Sequence, residues 1–132
     1  MKNQTCCFTG HRDCKDNRVL RKRLKSAITE LITKNDVRYF CTGGALGFDT
    51  IAAKCIIRLK RKYPHISLIF IFPCPEQDRY WSEKDRAVYG DIKKKADRVV
   101  YTSDRYTRGC MQTRNRCLVD NSAYCIAYCV KS

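Results

Sequence analysis

Short apolar segments alternate along the chain with segments whose apolar residues recur every three or four positions. Segment 67–72, SLIFIF, is almost wholly apolar, which is typical of a strand covered on both faces of a parallel sheet. Segment 17–34 has the spacing of an amphipathic helix, and Asp16 or Asn17 supplies its N-cap. The whole pattern predicts strands over 5–9, 37–42, 67–72, 98–102 and 124–129, and helices over 17–34, 48–59, 82–94 and 113–120.

The regular alternation of strands and helices indicates βαβ units, which join parallel strands through right-handed crossovers. It predicts a Rossmann-like α/β fold with three layers, α/β/α, around a parallel sheet of about five strands. No internal repeat or low-complexity linker divides the 132 residues, so a single domain over 1–132 is expected. Open parallel sheets bind ligands beyond the carboxyl ends of their strands. Functional residues are therefore expected in the loops after strands one to four.

Composition argues against several classes of protein. No apolar run approaches the roughly 20 residues of a membrane span, and the N-terminus lacks the apolar stretch of a secretory signal. These features predict a cytoplasmic protein without a membrane partner. The ten cysteines are spread along the chain and none has C-x-x-C spacing, so no metal site is predicted and they are interpreted as small buried residues. Formation of a homo-oligomer is left open.

Charge points to the class of partner. The 27 Lys and Arg residues outnumber the 13 Asp and Glu residues, and the net charge is +14. Such an excess favours an anionic partner, such as a nucleotide phosphate, a nucleic acid or an acidic surface. Much of it lies in segments 15–25 and 58–62 on predicted helix faces. These runs are interpreted as solvated faces.

The loop after the second strand carries the most specific chemistry. Gly43, Gly44 and Gly47 lie within five residues, just before a predicted helix. Glycine lets a phosphate approach the main chain, and the N–H groups at a helix start attract the same anion. Because no established phosphate-loop pattern is matched, the glycines indicate either a phosphate contact or a tight turn. Asp49 fits a contact to a ribose hydroxyl or a cap on its own helix.

Four segments occur in the order seen in a known family. They are Cys7-Phe8-Thr9-Gly10-His11-Arg12, the loop from Gly43 to Thr50, Pro73-Cys74 with Gln77 and Trp81, and Arg108-Gly109-Cys110-Met111 through Arg114-Asn115-Arg116. Over essentially its whole length the chain resembles the YpsA-like branch of the SLOG superfamily, which includes the Lonely Guy phosphoribohydrolases and DNA-processing protein A. The resemblance implies a Rossmann-like fold and a nucleotide-derived ligand.

Candidate site residues come from these loops and from the resemblance. Those predicted to bind the ligand or its phosphate are Thr9, Gly10, Arg12, Gly43, Gly44, Gly47, Asp49, Arg114 and Asn115. Gln77 and Trp81 are the candidates for contacting a base, although Trp81 equally fits the edge of the core. Similar proteins continue after strand five into a Gly-Gly-Thr turn and a further helix. The sequence ends before that segment, which in the phosphoribohydrolases carries a catalytic Glu.

Three functions remain open from the sequence. The first is binding of a nucleotide, ADP-ribose or NAD-like ligand in a sensing or regulatory role, with no other cofactor expected. The second is binding of single-stranded nucleic acid, which the net charge and arginines 105, 108, 114 and 116 favour. The third is a phosphoribohydrolase-like nucleotide N-glycosidase. No two carboxylates have a spacing that favours this reaction, so no catalytic residue is assigned.

Overall fold

The computed structural model describes residues 2–128. The five strands and four helices expected from the sequence all occur there. A short 3₁₀ turn at Lys2–Gln4 precedes them. The elements are β1 Thr5–Gly10, α1 Arg18–Lys34, β2 Tyr39–Thr42, α2 Phe48–Leu59, β3 Ser67–Phe72, α3 Glu83–Lys95, β4 Arg98–Tyr101, α4 Cys110–Asp120 and β5 Tyr124–Tyr128.

Element ends differ from the prediction where caps decide them. The α1 helix is capped by Asn17, whose side chain accepts a hydrogen bond from the Leu20 N–H at 2.9 Å. The α4 helix begins at Cys110 instead of residue 113, because Gly109 takes a left-handed φ of 84° and turns the chain into the helix. Cys129, the predicted end of β5, lies outside the described residues.

All five strands are parallel, in the order β4-β3-β2-β1-β5. The chain steps from β1 outward through β2 and β3 to β4, then crosses back to place β5 on the other side of β1. The topological switch point therefore lies between β1 and β5, where Thr9 and Gly10 pair with Ala127 and Tyr128. Parallel sheets of this kind bind ligands beyond the carboxyl ends of the strands.

Helices cover the two faces of the sheet unequally. The α1, α2 and α3 helices bury their apolar residues, such as Ile28, in one large core. The α4 helix contributes Leu118 to a smaller cluster on the opposite face. Successive side chains of a strand point to opposite faces, so Cys6 and Phe8 of β1 enter the large core and Cys7 enters the small cluster. The Rossmann-like three-layer fold predicted from the sequence is confirmed.

Cysteines behave mostly as small core residues. Every cysteine among residues 2–128 is a free thiol, and Cys110 is 2% exposed at the start of α4. Burial raises the pKa of the Cys41 thiol to about 12, which keeps it protonated. Within the same residues, no group of three or more His, Cys, Asp or Glu side chains is placed to hold a metal ion. None of the helices in this part of the chain has the length and apolarity that crossing a membrane requires.

Thr42, the last residue of β2, buries a hydroxyl group without a hydrogen-bond partner among residues 2–128. We expect Thr42→Val to raise the free energy of unfolding by about 1 kcal/mol, because it removes this unsatisfied group and leaves the shape of the side chain nearly unchanged. Urea denaturation measures the change. Thr102→Val is the control and should be destabilising, since the Thr102 hydroxyl donates to the Phe72 carbonyl at 3.3 Å. A loss of stability in Thr42→Val would contradict the prediction.

Candidate functional site

The loops at the carboxyl ends of β1 and β2 pack directly on each other. The His11 carbonyl oxygen accepts a hydrogen bond from the N–H of Phe48, the first residue of α2, at 3.2 Å. Gly10 also approaches α2 closely, because the Phe48 side chain occupies the place where a β-carbon of residue 10 would stand. The loop after β1 therefore lies over the start of α2, at the edge where a ligand of this fold is expected.

Gly44 and Gly47 have positive φ angles of 71° and 79°. A β-carbon on Gly44 would collide with the ring of Phe72. A β-carbon on Gly47 would collide with the backbone carbonyl groups of His11 and Arg12. Packing within the chain therefore explains both glycines, and their contact with a phosphate stays a prediction.

Arg114 places a buried guanidinium beneath the glycine loop. Its Nη1 donates to the carbonyl oxygen of Gly43 at 2.6 Å and to Oε1 of Gln77 at 3.3 Å, and its Nε donates to Oδ1 of Asn115 at 2.7 Å. Among residues 2–128, the only acceptor that Nη2 reaches is the sulfur of Met111, at 3.9 Å. Burial lowers the pKa of Arg114. The guanidinium thus joins α4 to the end of β2, and its Nη2 has no oxygen acceptor in the described part of the chain.

Gln77 belongs to the same internal network. Its Nε2 donates to the Gly43 carbonyl oxygen and to the Tyr89 hydroxyl, both at 3.3 Å, while its Oε1 accepts from Arg114. Burial raises the pKa of Tyr89, so the phenol stays neutral. Both ends of the Gln77 amide are bonded within the protein. Its contact with a base therefore stays a prediction, since the amide nitrogen and oxygen both already have hydrogen-bond partners within the protein.

Asp49 turns its carboxylate toward the glycine loop. The residue is 8% exposed, and its Oδ2 accepts a hydrogen bond from the Ala45 N–H at 3.2 Å. Burial raises the pKa of this carboxyl group to about 6, against the opposing effects of Arg114, the Ala45 N–H and Arg12. The N-cap of α2 is Gly47, without a side-chain cap. Asp49 therefore holds the loop instead of capping its own helix, and a contact with ribose stays a prediction.

Thr9, Gly10 and Arg12 are exposed where β1 meets the switch point. Within the described part of the chain, the Arg12 guanidinium makes no hydrogen bond or ion pair, although its charge influences the pKa of Asp49. Asn115 is also exposed, and it accepts the hydrogen bond from Arg114 Nε. These positions are accessible to a ligand.

A cleft of about 240 Å³ opens between the starts of α2 and α3. Trp81 is partly exposed on its wall and packs edge-to-face on Tyr89, with ring centroids 5.0 Å apart. Gly47 lines the same cleft, as do Lys54 of α2 and Lys84 of α3. The remaining lining residues are Cys14, Asp16, Leu46, Thr50, Ile51, Asp85, Val88 and Tyr89.

Six of the eleven candidate residues fall into two groups, and the other five, Thr9, Gly10, Arg12, Gly44 and Asp49, belong to neither. Gly43, Gln77, Arg114 and Asn115 form one hydrogen-bonded network under the glycine loop. Gly47 and Trp81, which are 34 positions apart, meet in the cleft on the α2 side of the loop.

Comparison with known proteins identifies the family. The model described as the YspA SLOG family matches residues 6–129. The chain belongs to this SLOG family. It is 34% identical over 120 residues to the uncharacterized SPbeta prophage-derived protein YoqJ of Bacillus subtilis strain 168, covering 82% of this chain and 70% of that protein. It is 36% identical over 105 residues to a UPF0398 protein of Halalkalibacterium halodurans, covering 78% of this chain but 55% of that protein.

Two cleft residues of this SLOG family member, Lys54 and Lys84, were not predicted from the sequence. Lys84 shares α3 with four other basic residues and Lys54 shares α2 with Arg58, and charge alone does not separate a cleft lysine from a solvated one. Lys84 does lie three positions after Trp81 at the start of α3, and Lys54 lies seven positions after Gly47, which is two turns along α2. Their spacing along the chain from Gly47 and Trp81, two candidate ligand-binding residues, is therefore the signal that could have predicted both lysines.

Proposed function

We propose that the protein binds a nucleotide-type ligand in the cleft between the starts of α2 and α3, in a sensing or regulatory role. The observation that carries the proposal is the meeting of Trp81 with Gly47, Lys54 and Lys84 at the carboxyl edge of the sheet. A large aromatic ring offers stacking area for a base, and two ammonium groups attract phosphate. Membership of the SLOG family supports a nucleotide-related ligand.

Electrostatics in the cleft favour an anion near the lysines. Neither Lys54 nor Lys84 forms an ion pair within residues 2–128, whereas the Asp16 carboxylate at the cleft is paired with Arg21 at 2.9 Å. The α2 helix begins at Phe48, and its N-cap, Gly47, has no side chain to bond the first N–H groups, so partial positive charge remains at the helix start although the Asp49 carboxylate in the first turn offsets part of it. A phosphate beside Gly47 therefore meets partial and full positive charges together.

Binding fits this cleft better than cleavage of a glycosidic bond. A nucleotide N-glycosidase needs an acid or base within hydrogen-bond reach of the ribose. The Asp49 carboxyl group has a suitably raised pKa, but it is bonded to the Ala45 N–H on the inner side of the loop. Binding without chemistry is therefore the function that we propose.

Fluorescence of Trp81, the only tryptophan of the chain, tests the proposal directly. Titration with AMP, ADP-ribose and NAD should quench its emission, because a base that stacks on the indole changes its surroundings. Ribose 5-phosphate carries no base and should compete without quenching. Absence of quenching and of any thermal shift with all three nucleotides would refute the proposed site.

Removal of the two cleft charges should weaken binding. We expect Lys54→Gln with Lys84→Gln to raise the dissociation constant of the quenching nucleotide about tenfold, since charge-assisted contacts to phosphate are lost. The matched control is Lys94→Gln with Lys95→Gln at the end of α3, which removes the same charge away from the cleft. Equal weakening in both variants would show a general effect of net charge and would contradict a phosphate contact by Lys54 and Lys84. Glycine substitutions are unsuitable here, because they damage the loop itself.

A further inference from the structure

A second basic site lies on the helical layer, between α1 and α2. A groove of about 430 Å³ runs between the two helices, and its floor is formed by Cys55 and Leu59. All its other lining residues are cations. They are Arg18, Arg21, Lys22 and Lys25 of α1, Arg58 of α2, and Lys62 just after α2. None of the twelve residues that line the Trp81 cleft is among them.

Helical geometry places the α1 cations in a row. Positions 18, 21, 22 and 25 have the i, i+3, i+4, i+7 spacing of one helix face. At a rise of about 1.5 Å per residue, the row is about 10 Å long. Arg58 and Lys62 are likewise four positions apart on the second wall. The fold thus joins two basic segments that are separate in the sequence into one groove.

These charges are not neutralised within the chain. Arg21 pairs with Asp16 at 2.9 Å, but the other five cations form no ion pair among residues 2–128. Of the residues that the structure describes, no Asp or Glu lines the groove. Like charges held around one groove repel each other, and an anionic partner relieves this repulsion. Regularly spaced phosphates are the partner that suits two rows of cations.

We propose that this groove binds the phosphate backbone of double-stranded DNA without reading its sequence. The α1 row, about 10 Å long, is long enough to contact more than one phosphate of the same strand. Arginine and lysine side chains supply the donors that contact phosphate oxygens. The groove binds through charge, and its apolar floor only supports the stems of the long side chains.

Lining chemistry separates duplex DNA from other polyanions. No aromatic ring lines the groove, whereas proteins that hold single strands stack bases on aromatic side chains. Duplex RNA presents 2′-hydroxyls in addition to phosphates, and among residues 2–128 no hydroxyl or amide side chain lines the groove to contact them. Lasting attachment to a membrane surface is strengthened by large apolar side chains beside the cations, and among the lining residues that the structure describes Leu59 is the only one, buried at the floor.

Anisotropy of a fluorescein-labelled 20-base-pair DNA duplex, titrated with the protein between 50 and 200 mM KCl, tests the inference. The logarithm of the binding constant should fall steeply with the logarithm of the salt concentration. We expect Lys22→Gln with Lys25→Gln to weaken binding at least tenfold at 50 mM KCl. The slope should also decrease in magnitude by about two, one for each lost phosphate contact.

Lys94→Gln with Lys95→Gln serves as the matched control, since both double variants lower the net charge from +14 by two. The control should bind the duplex within about twofold of the unmodified protein, and thermal melts should show that both variants are folded. Equal weakening in the two variants, tighter binding of a 20-nucleotide single strand or of duplex RNA, or binding of anionic lipid vesicles instead of DNA would each overturn the inference. Nucleotide quenching of Trp81 should persist in Lys22→Gln with Lys25→Gln. The DNA-binding groove and the nucleotide-binding cleft are therefore tested independently of each other.

Discussion

Gly47→Ala is expected to lower the free energy of unfolding by about 3 kcal/mol, because alanine would strain the backbone at residue 47 and would also displace the loop after β1. Gly47 has φ 79° and ψ −122°, a conformation that residues with a β-carbon rarely adopt. The new methyl group would also meet the carbonyl groups of His11 and Arg12, which belong to the backbone and cannot rotate away. Relief of this collision requires the loop after β1 to leave the start of α2.

Gly90→Ala provides the control for Gly47→Ala because it makes the same chemical change inside α3. Apart from its chain neighbours and the adjacent helix backbone, no atom of residues 2–128 lies within 4 Å of the place that a β-carbon of residue 90 would occupy. Alanine has the higher helix propensity, so this variant should be stabilised by about 0.5–1 kcal/mol. Urea denaturation of both variants measures the contrast. Changes of the same sign and size would contradict the conformation and packing described for Gly47.

The contrast between these glycines shows what the sequence could predict. Hydrophobic spacing located every strand and helix, because the period of 2 or 3.6 is a local property of the chain. The positive φ of Gly44 and Gly47 was consistent with a turn-forming loop. The reason for each glycine was not local, since the groups that fill the space around the loop come from Phe72, Arg12 and Arg114.

The candidate site was predictable only in part for the same reason. Arg114 bonds to Gly43 across 71 positions of sequence, and no periodicity reports such a contact. Trp81 was left between a stacking role and the edge of the core, and the structure gives it features of both, on Tyr89 and in the cleft wall. The basic groove could not be predicted, because its two walls are separate charge runs in the sequence and come together only when α1 and α2 pack.

Asp49→Asn is expected to raise the free energy of unfolding near pH 7 by about 2 kcal/mol. Burial raises the pKa of Asp49 from 3.8 to about 6, so the folded protein holds this proton more tightly than the unfolded chain. Ionisation near pH 7 therefore costs the folded state about 3 kcal/mol. Asparagine carries no charge to bury and keeps an oxygen for the Ala45 N–H. Its added amide N–H group lacks an assigned acceptor, which reduces the gain by about 1 kcal/mol.

The pH dependence of Asp49→Asn fixes the sign of this effect. Because the folded pKa is raised, the stability that the protonated Asp49 supplies is fully present below about pH 4 and is lost as the pH rises through 6. The variant lacks this loss, so its advantage should be largest above pH 6 and disappear near pH 4. Asp36→Asn is the control of opposite sign, since hydrogen bonds from Gln4 and Arg38 lower the pKa of exposed Asp36. An advantage of Asp49→Asn that is equal at pH 4 and pH 7 would contradict the raised pKa.

A carboxylate that weakens the fold near pH 7 is typical of a site kept for function. Nucleotide quenching of Trp81 fluorescence in Asp49→Asn tests whether ligand binding needs the negative charge of Asp49 or only its hydrogen-bonding oxygen. Loss of nucleotide quenching in this more stable variant would mean that the charge of Asp49 sets the loop for the ligand. Unchanged quenching would mean that the oxygen bonded to the Ala45 N–H suffices, because asparagine retains it.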